Sequence, residues 1–309
     1  MRFCDIKRIA ILGSGMLGKY CYLRLKETTK FTVTLYSHSI FDITDRDDVL
    51  SMINDNDCII NCAAYTNVDK AELEPDKCKL INGFAIDYLA HEIAKQQKFL
   101  IHISSDFVYG NIKDNTLEPL REDDILSPIN VYGESKLEGD NNILSWMSNN
   151  YLILRVSWLF GPYGNNFIDK IYNQLIIDDI HEIKVVDDQF GRLTSTKLVV
   201  DVIMNWISFG FKSGFYNLSC NGSISTKYDI ACKIRDFLNL NTKIIPVKST
   251  IFNSPAARQQ NSILSCEKID KQLFLIRSYW ENDLEEYLKN KSTKKDKSFL
   301  YRIFKLLSK

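Results

Sequence analysis

Residues 7–18 read KRIAILGSGMLG, a short apolar run that breaks into glycines at 13, 15 and 18 and continues as a helical pattern to about Lys26. Glycines at this spacing allow a tight turn and a close approach of backbone to a pyrophosphate, which the N-terminus of the next helix then holds. Gly13, Gly15, Met16, Leu17 and Gly18 are therefore the first candidate cofactor contacts. Downstream, strand patterns alternate with helix patterns. Phe31–Ser37 alternates and is β-branched, and Asp57–Ala64 (DCIINCAA) is apolar and ends in small residues. LIHISSD (Leu100–Asp106) and YLILRVSWLF (Tyr151–Phe160) are two further buried strands. Pro75–Gln97 reads as one helix with Leu80, Ile81, Phe84, Leu89, Ile93 and Ala94 on one broad face, and a second helix runs from just past Pro128 to about Met147. Nearly all-apolar strands between helices predict an α/β fold, a Rossmann-type doubly wound parallel sheet covered on both faces. Ligands of such a sheet lie at the C-terminal ends of its strands. The glycine turn, Ala63 and Ala64, Ser105 and Trp158 all fall at such ends.

From residue 161 the texture changes to polar loops, short extended runs and the helical stretches Lys197–Phe209 and Thr226–Leu240, with Gly214–Ser219 a strand between them. The expected division is a dinucleotide-binding domain over 1–160 to which parts of 161–220 return. A smaller C-terminal substrate-binding lobe then occupies mainly 161–290, and a basic amphipathic tail 291–309.

The chemistry is expected at residues 100–139. Ser105 ends a strand, and SPINVYGESKLEG (Ser127–Gly139) places Tyr132 and Lys136 four residues apart on one helix face. A free tyrosine, with a pKa of about 10, is a poor acid at neutral pH, and a nearby ammonium that stabilises the phenolate brings its proton into range. The trio suits protonation of a carbonyl oxygen during ketone reduction, or the reverse. Tyr-x-x-x-Lys also occurs at Tyr22/Lys26, Tyr109/Lys113, Tyr287/Lys291 and Tyr301/Lys305, but only Tyr132/Lys136 follows a serine-ended strand.

The second strand ends Tyr36-Ser37-His38, without the carboxylate that bonds an NAD ribose and without an arginine for a 2′-phosphate. NADPH or NADH is expected, NADPH slightly favoured, with Asp42 and Ile43 just beyond as candidate adenine contacts.

Lys+Arg and Asp+Glu balance at 39 each, which gives no basic field for nucleic acid. The eight cysteines form no C-x-x-C pair and lack neighbouring histidines, so a metal site is not expected and a reducing cytoplasm is. The N-terminal apolar run is too short for a signal peptide or a membrane span. The four histidines, Cys62 and the Asp69/Lys70/Glu72 cluster receive no role, the cluster reading as a solvated helix start. In the tail, Phe299, Leu300, Ile303, Phe304, Leu306 and Leu307 share one helical face, which is expected either to pack on the body or a second subunit or to meet an anionic membrane surface.

NCAAYTNVDKAELEP (Asn61–Pro75), HISSDFVYG (His102–Gly110), SPINVYGESKLEG, LRVSWLFGPYGNNF (Leu154–Phe167) and DDQFG (Asp187–Gly191) together resemble the extended short-chain dehydrogenases/reductases, and within them the dTDP-4-dehydrorhamnose reductase family. The resemblance spans roughly residues 7–290. It implies NAD(P)H-dependent reduction of the C4 ketone of a nucleotide-linked 4-keto-6-deoxy sugar, toward dTDP- or UDP-L-rhamnose, by a possible homodimer. By the same resemblance Tyr132 is the proton donor, and Lys136 lowers its pKa and holds the nicotinamide ribose. Ser105 orients the carbonyl, Asp106 and Trp158 lie on the substrate side, Arg258 faces the diphosphate, and Ala63, Ala64 and Tyr65 line the cofactor. Three departures stand out: the glycine turn is one residue shorter than G-x-x-G-x-x-G, and Leu193 and Gln259 replace prolines. Two other readings share the fold. One is a GDP-fucose-type epimerase/reductase, which uses a cysteine after the serine strand where this chain has Asp106-Phe107-Val108. The other is a non-catalytic NADP-binding subunit resembling the β subunit of methionine adenosyltransferase, which looks different at Ser157-Trp158 and Gly164–Phe167.

Overall fold

The structure, a computed structural model, describes residues 5–177 and 180–292. The reading of the tail falls mostly on residues 293–309 and lies outside the described residues; residues 280–292 are helical.

Five strands, β1 (Arg8–Leu12), β2 (Thr32–Tyr36), β3 (Cys58–Asn61), β4 (Phe99–Ser105) and β5 (Tyr151–Val156), join the strand Gly214–Leu218 in one six-stranded sheet. The order across it is β2, β1, β3, β4, β5 and 214–218, and every neighbouring pair is parallel. The connections are the helices α1 (Met16–Lys26), α2 (Arg46–Asp55), α3 (Val68–Leu73), α4 (Pro75–Lys79), α5 (Ala85–Lys95) and α6 (Val131–Trp146). Because successive strand residues point to opposite faces, β1 divides its side chains between two cores. Ala10 and Leu12 join Met52 of α2, Leu89 of α5 and Ile143 of α6 on one face. Ile9 and Ile11 join Cys21 and Leu25 of α1 and Val199 and Trp206 of the helix Thr196–Phe209 on the other. The crossover direction reverses beside β1, so its C-terminal end and that of β3 bound the crevice where such sheets take ligands.

Two expectations about elements needed correction. Pro75–Gln97 is not one regular helix: a π-turn, Leu80–Phe84, separates α4 from α5. The wider turn slips the helix face, leaving Leu80 45% and Phe84 60% exposed and turning Asn82 and Gly83 inward. The inward residues let α6 come close, since a Cβ on Gly139 would stand 2.3 Å from the Asn82 carbonyl oxygen and one on Gly83 2.6 Å from Glu138 Cδ. Tyr151–Phe160 is likewise two strands. The chain breaks at Trp158, which adopts φ +45°, and Leu159–Phe160 leaves the sheet to pair with Thr194–Ser195. Gly214–Leu218, within the stretch 161–220, is the edge strand of the main sheet, paired with β5. Helix α2, which no sequence pattern announced, starts at Asp45, whose carboxylate accepts from the N–H groups of Asp47 and Asp48.

Beyond the strand ends lies a small sheet of Ser225–Thr226, Phe190–Gly191 and Asn261–Ser262, together with the parallel pair Glu182–Val186 and Lys243–Val247. Among the described residues, no helix is long and apolar enough to cross a membrane, and no group of three or more His, Cys, Asp or Glu is placed to hold a metal ion.

Candidate active site

The glycine turn fits a bound pyrophosphate. Gly13 has φ +89°, and a Cβ there would lie 2.9 Å from the Ala63 backbone, so β1 and β3 meet closely enough to exclude any other residue. A Cβ on Gly18 would stand 1.9 Å from the Gly13 carbonyl oxygen, which seats the first turn of α1 on the loop. At Gly15, in contrast, nothing lies within 4 Å. Gly15 is also the N-cap of α1 and offers no side-chain cap, so the amides of Met16, Leu17 and Gly18 are those a helix leaves for an anion. The residues therefore fit a dinucleotide despite the shortened turn.

Other candidate cofactor contacts are placed unequally. Ala63 donates its N–H to Asn61 Oδ1 at 3.0 Å, and Tyr65 is pinned through its N–H to Asn82 Oδ1 and through its hydroxyl to Glu74 Oε2. Asp42 spends its carboxylate on the N–H and hydroxyl of Thr44, which hold its pKa below the usual range, and Ile43 is buried in the core. The Asp42 backbone is engaged as well, its N–H donating to Asp48 Oδ2 and its carbonyl accepting from Asp45 N–H.

Ser105 closes β4 and caps the short 3-10 turn Asp106–Val108 by accepting from Phe107 N–H. Its hydroxyl donates to Asp106 Oδ1 at 3.1 Å. Burial raises the Asp106 carboxyl to about 6, against hydrogen bonds from Ser262 and Ser105. Gln259, standing where the resemblance anticipates proline, reaches the same carboxylate with its amide nitrogen at 3.0 Å. Tyr132 begins α6 just after the N-cap Asn130, its ring edge-on to Phe107 at 5.6 Å between centroids. Burial pushes its phenol above the ordinary range and the Ser105 hydroxyl draws it partly back. The sequence led us to expect a lowered phenol, but burial dominates, and Lys136 directs its Nζ elsewhere.

Lys136 is buried, with Nζ 2.8 Å from the Ile103 carbonyl oxygen and 3.1 Å from His102 Nε2. Burial lowers it to about 8, with Asp140 opposing. His102, given no role from sequence, is wholly buried, and its Nδ1 meets Asn61 Nδ2 at 3.1 Å. A histidine on the α6 side of β4 was the available signal, but on a strand apolar on both faces it had no alternation to stand out from. One turn beyond Lys136, Asp140 forms a buried ion pair with Arg155 of β5 at 3.1 Å, which moors α6 to the sheet. Glu72 accepts from Val131 N–H at the start of the same helix.

On the substrate side, Trp158 is half-buried against Gly191, and Lys227 Nζ lies 5.8 Å from the centre of its indole. Lys227 donates to Gln189 Oε1 at 2.6 Å and has no carboxylate within ion-pair distance among the described residues. Burial, then the neighbouring Arg258, lowers its ammonium to about 8. Arg258 pairs with Asp69 at 2.9 Å, so Asp69 is not simply solvated. Lys227 was missed because one lysine opening an amphipathic helix looks like any surface lysine.

A wholly parallel sheet, a glycine turn beneath an uncapped helix, and a strand-end serine acting on a Tyr-x-x-x-Lys helix define a short-chain dehydrogenase/reductase of the extended type. A family model, the RmlD substrate binding domain, matches residues 7–293, and the chain belongs to that family. It is 30% identical over 289 residues to the spore coat polysaccharide biosynthesis protein SpsK of Bacillus subtilis, covering 93% of this chain and 98% of that one. It is 32% identical over 292 residues to the dTDP-4-dehydrorhamnose reductase of Aggregatibacter actinomycetemcomitans, covering 90% and 97%. A crystal structure of dTDP-4-dehydrorhamnose reductase from Bacillus anthracis in complex with NADP superposes with a TM-score of 0.84 at 30% identity, covering 92% of this chain and 99% of that one.

Proposed function

We propose that this protein is an NAD(P)H-dependent reductase of the C4 ketone of a nucleotide-linked 4-keto-6-deoxy sugar. The observation that carries the proposal is the convergence of Ser105, Tyr132 and Lys136 at the C-terminal end of β4, beside the open cradle at Gly15. When bound, the nicotinamide supplies the hydride. Gly13, Gly15, Met16, Leu17 and Gly18 would hold its pyrophosphate, Ala63, Ala64 and Tyr65 would flank it, and Lys136 would meet the ribose. Tyr132 gives its proton to the sugar oxygen while Ser105 holds that oxygen in place. Asp106 and Trp158 bound the sugar. Arg258 and Lys227 face the diphosphate, two cations to which, among the described residues, only Asp69 is paired directly.

Neither the epimerase/reductase nor the non-catalytic subunit is favoured by any feature of the site. The test is oxidation of NADPH and of NADH in the presence of dTDP-, UDP- and GDP-linked 4-keto-6-deoxy sugars. Turnover with one of them is expected, and none with any would overturn the proposal.

A further inference from the structure

The buried chain of side chains behind Lys136 determines where its protons lie. Ala63 N–H donates to Asn61, and a backbone N–H has only a proton to offer, so the amide oxygen must be on that side. The other amide atom, Nδ2, carries two protons and faces His102 Nδ1 at 3.1 Å. That ring nitrogen is therefore the bare, accepting one, and a neutral imidazole then bears its proton on Nε2. Nε2 is the atom 3.1 Å from Lys136 Nζ. An N–H can bond Nζ only where Nζ offers a lone pair, which an amine has and an ammonium lacks. The imidazolium form is excluded by the same contact, since its Nδ1–H would face the Asn61 amide protons. Burial and the Lys136 charge both disfavour that form.

We propose that His102 is a positioning residue that stabilises the amine form of Lys136, so that Lys136 readily gives up the proton that reloads Tyr132. The proposal rests on Tyr132 being the acid. The Tyr132 proton goes to the substrate oxygen and leaves a phenolate. Because Lys136 Nζ does not touch the phenol, its ammonium returns the proton through an intervening water, and the electron pair of the broken N–H bond stays on Nζ as the lone pair that accepts from His102 Nε2–H. A solvent proton then restores the ammonium. The other groups that face Lys136 are Asp140 on α6, Cys78 on α4 and Cys62 after β3. Burial raises the Cys62 and Cys78 thiols, which keeps them neutral, so Asp140 alone opposes the amine.

Asn61→Asp reverses the arrangement with almost no change of shape. Its Oδ1 still accepts from Ala63, while Oδ2 accepts from a proton on His102 Nδ1 and turns Nε2 into an acceptor for the ammonium. The direct readout is long-range proton–nitrogen correlation NMR on protein labelled with ¹⁵N-histidine, where only four histidines must be assigned. In the wild type His102 should carry its proton on Nε2 and stay neutral over roughly pH 6–9. In Asn61→Asp the proton should move to Nδ1, and the alkaline fall in kcat/KM should shift up by about one pH unit, the worth of an ordinary hydrogen bond. A wild-type proton on Nδ1 overturns the proposal, as does an unmoved alkaline limb in a variant whose tautomer has switched. The NMR measurement on wild type needs neither substrate nor the variant, so its outcome stands apart from the assignment of Tyr132.

Discussion

Gln259 donates one amide nitrogen to both the carbonyl oxygen and the Oδ2 of Asp106, at 3.1 and 3.0 Å, and so ties the loop of the smaller lobe to the end of β4. A proline at 259 could make neither bond. The Asp106 carboxyl is already raised by burial from 3.8 to about 6, which means the folded protein binds its proton more tightly than the unfolded chain. Its contribution to stability is therefore greatest below pH 4 and declines as pH rises through about 6, by about 3 kcal/mol. Thermal unfolding of wild type and Asp106→Asn between pH 4 and 8 isolates this group. The substituted protein should gain on wild type across that window, and Gln259→Leu, which removes a donor to the carboxylate, should extend the decline to higher pH.

The Asp140–Arg155 pair is wholly buried, with Tyr109 hydroxyl 3.2 Å from the guanidinium and Asn217 accepting from that hydroxyl in turn. Asp140→Ala would leave a buried guanidinium uncompensated, which costs about 3–5 kcal/mol. Urea unfolding should show a loss of that order, far above the cost of removing an exposed partner such as Glu286 from its pair with Lys197.

Lys227 is a half-buried ammonium whose hydrogen-bond partner is an amide oxygen. If it meets the diphosphate, Lys227→Met removes one charge-assisted bond, and the KM for the sugar nucleotide should rise about 10- to 100-fold with kcat largely kept. Equal KM values for variant and wild type would remove Lys227 from the substrate site.

Tyr36 at the end of β2 accepts from Asn56, and Ser37 pairs with Ser39, so no side chain there repels a 2′-phosphate. Calorimetric titration should find that both NADPH and NADH bind, with NADPH the tighter. A strong preference for NADH would mean that a residue outside this strand end reads the ribose.

What the sequence showed and what it hid divide along physical lines. The sheet was legible because parallel strands buried on both faces must be apolar throughout, as in Cys58–Asn61 and Tyr151–Val156. The positions of Ser105 at a strand end and of Tyr132 and Lys136 on one helix were legible because both are set by residues near in sequence, the serine-ended strand distinguishing this pair from the other Tyr-x-x-x-Lys pairs. Hidden were features that depend on elements distant in sequence. The π-turn at Leu80–Phe84 answers the close approach of α6, some fifty residues on. His102 gains meaning only when β4 lies under α6, and Gln259 only when its loop folds onto Asp106. Local pattern carries no trace of such contacts.

The account stands or falls on Tyr132. Its phenylalanine variant removes one hydroxyl and leaves the ring on Phe107. The control is Tyr22→Phe, since Tyr22 accepts from Lys26 Nζ at 3.2 Å in an exposed Tyr-x-x-x-Lys pair away from the strand ends. With the sugar nucleotide the enzyme turns over, single-turnover oxidation of NADPH should slow by about 10²- to 10⁴-fold in Tyr132→Phe and stay near wild type in Tyr22→Phe. A Tyr132→Phe protein that remains folded and reduces the sugar at close to the wild-type rate would contradict the account.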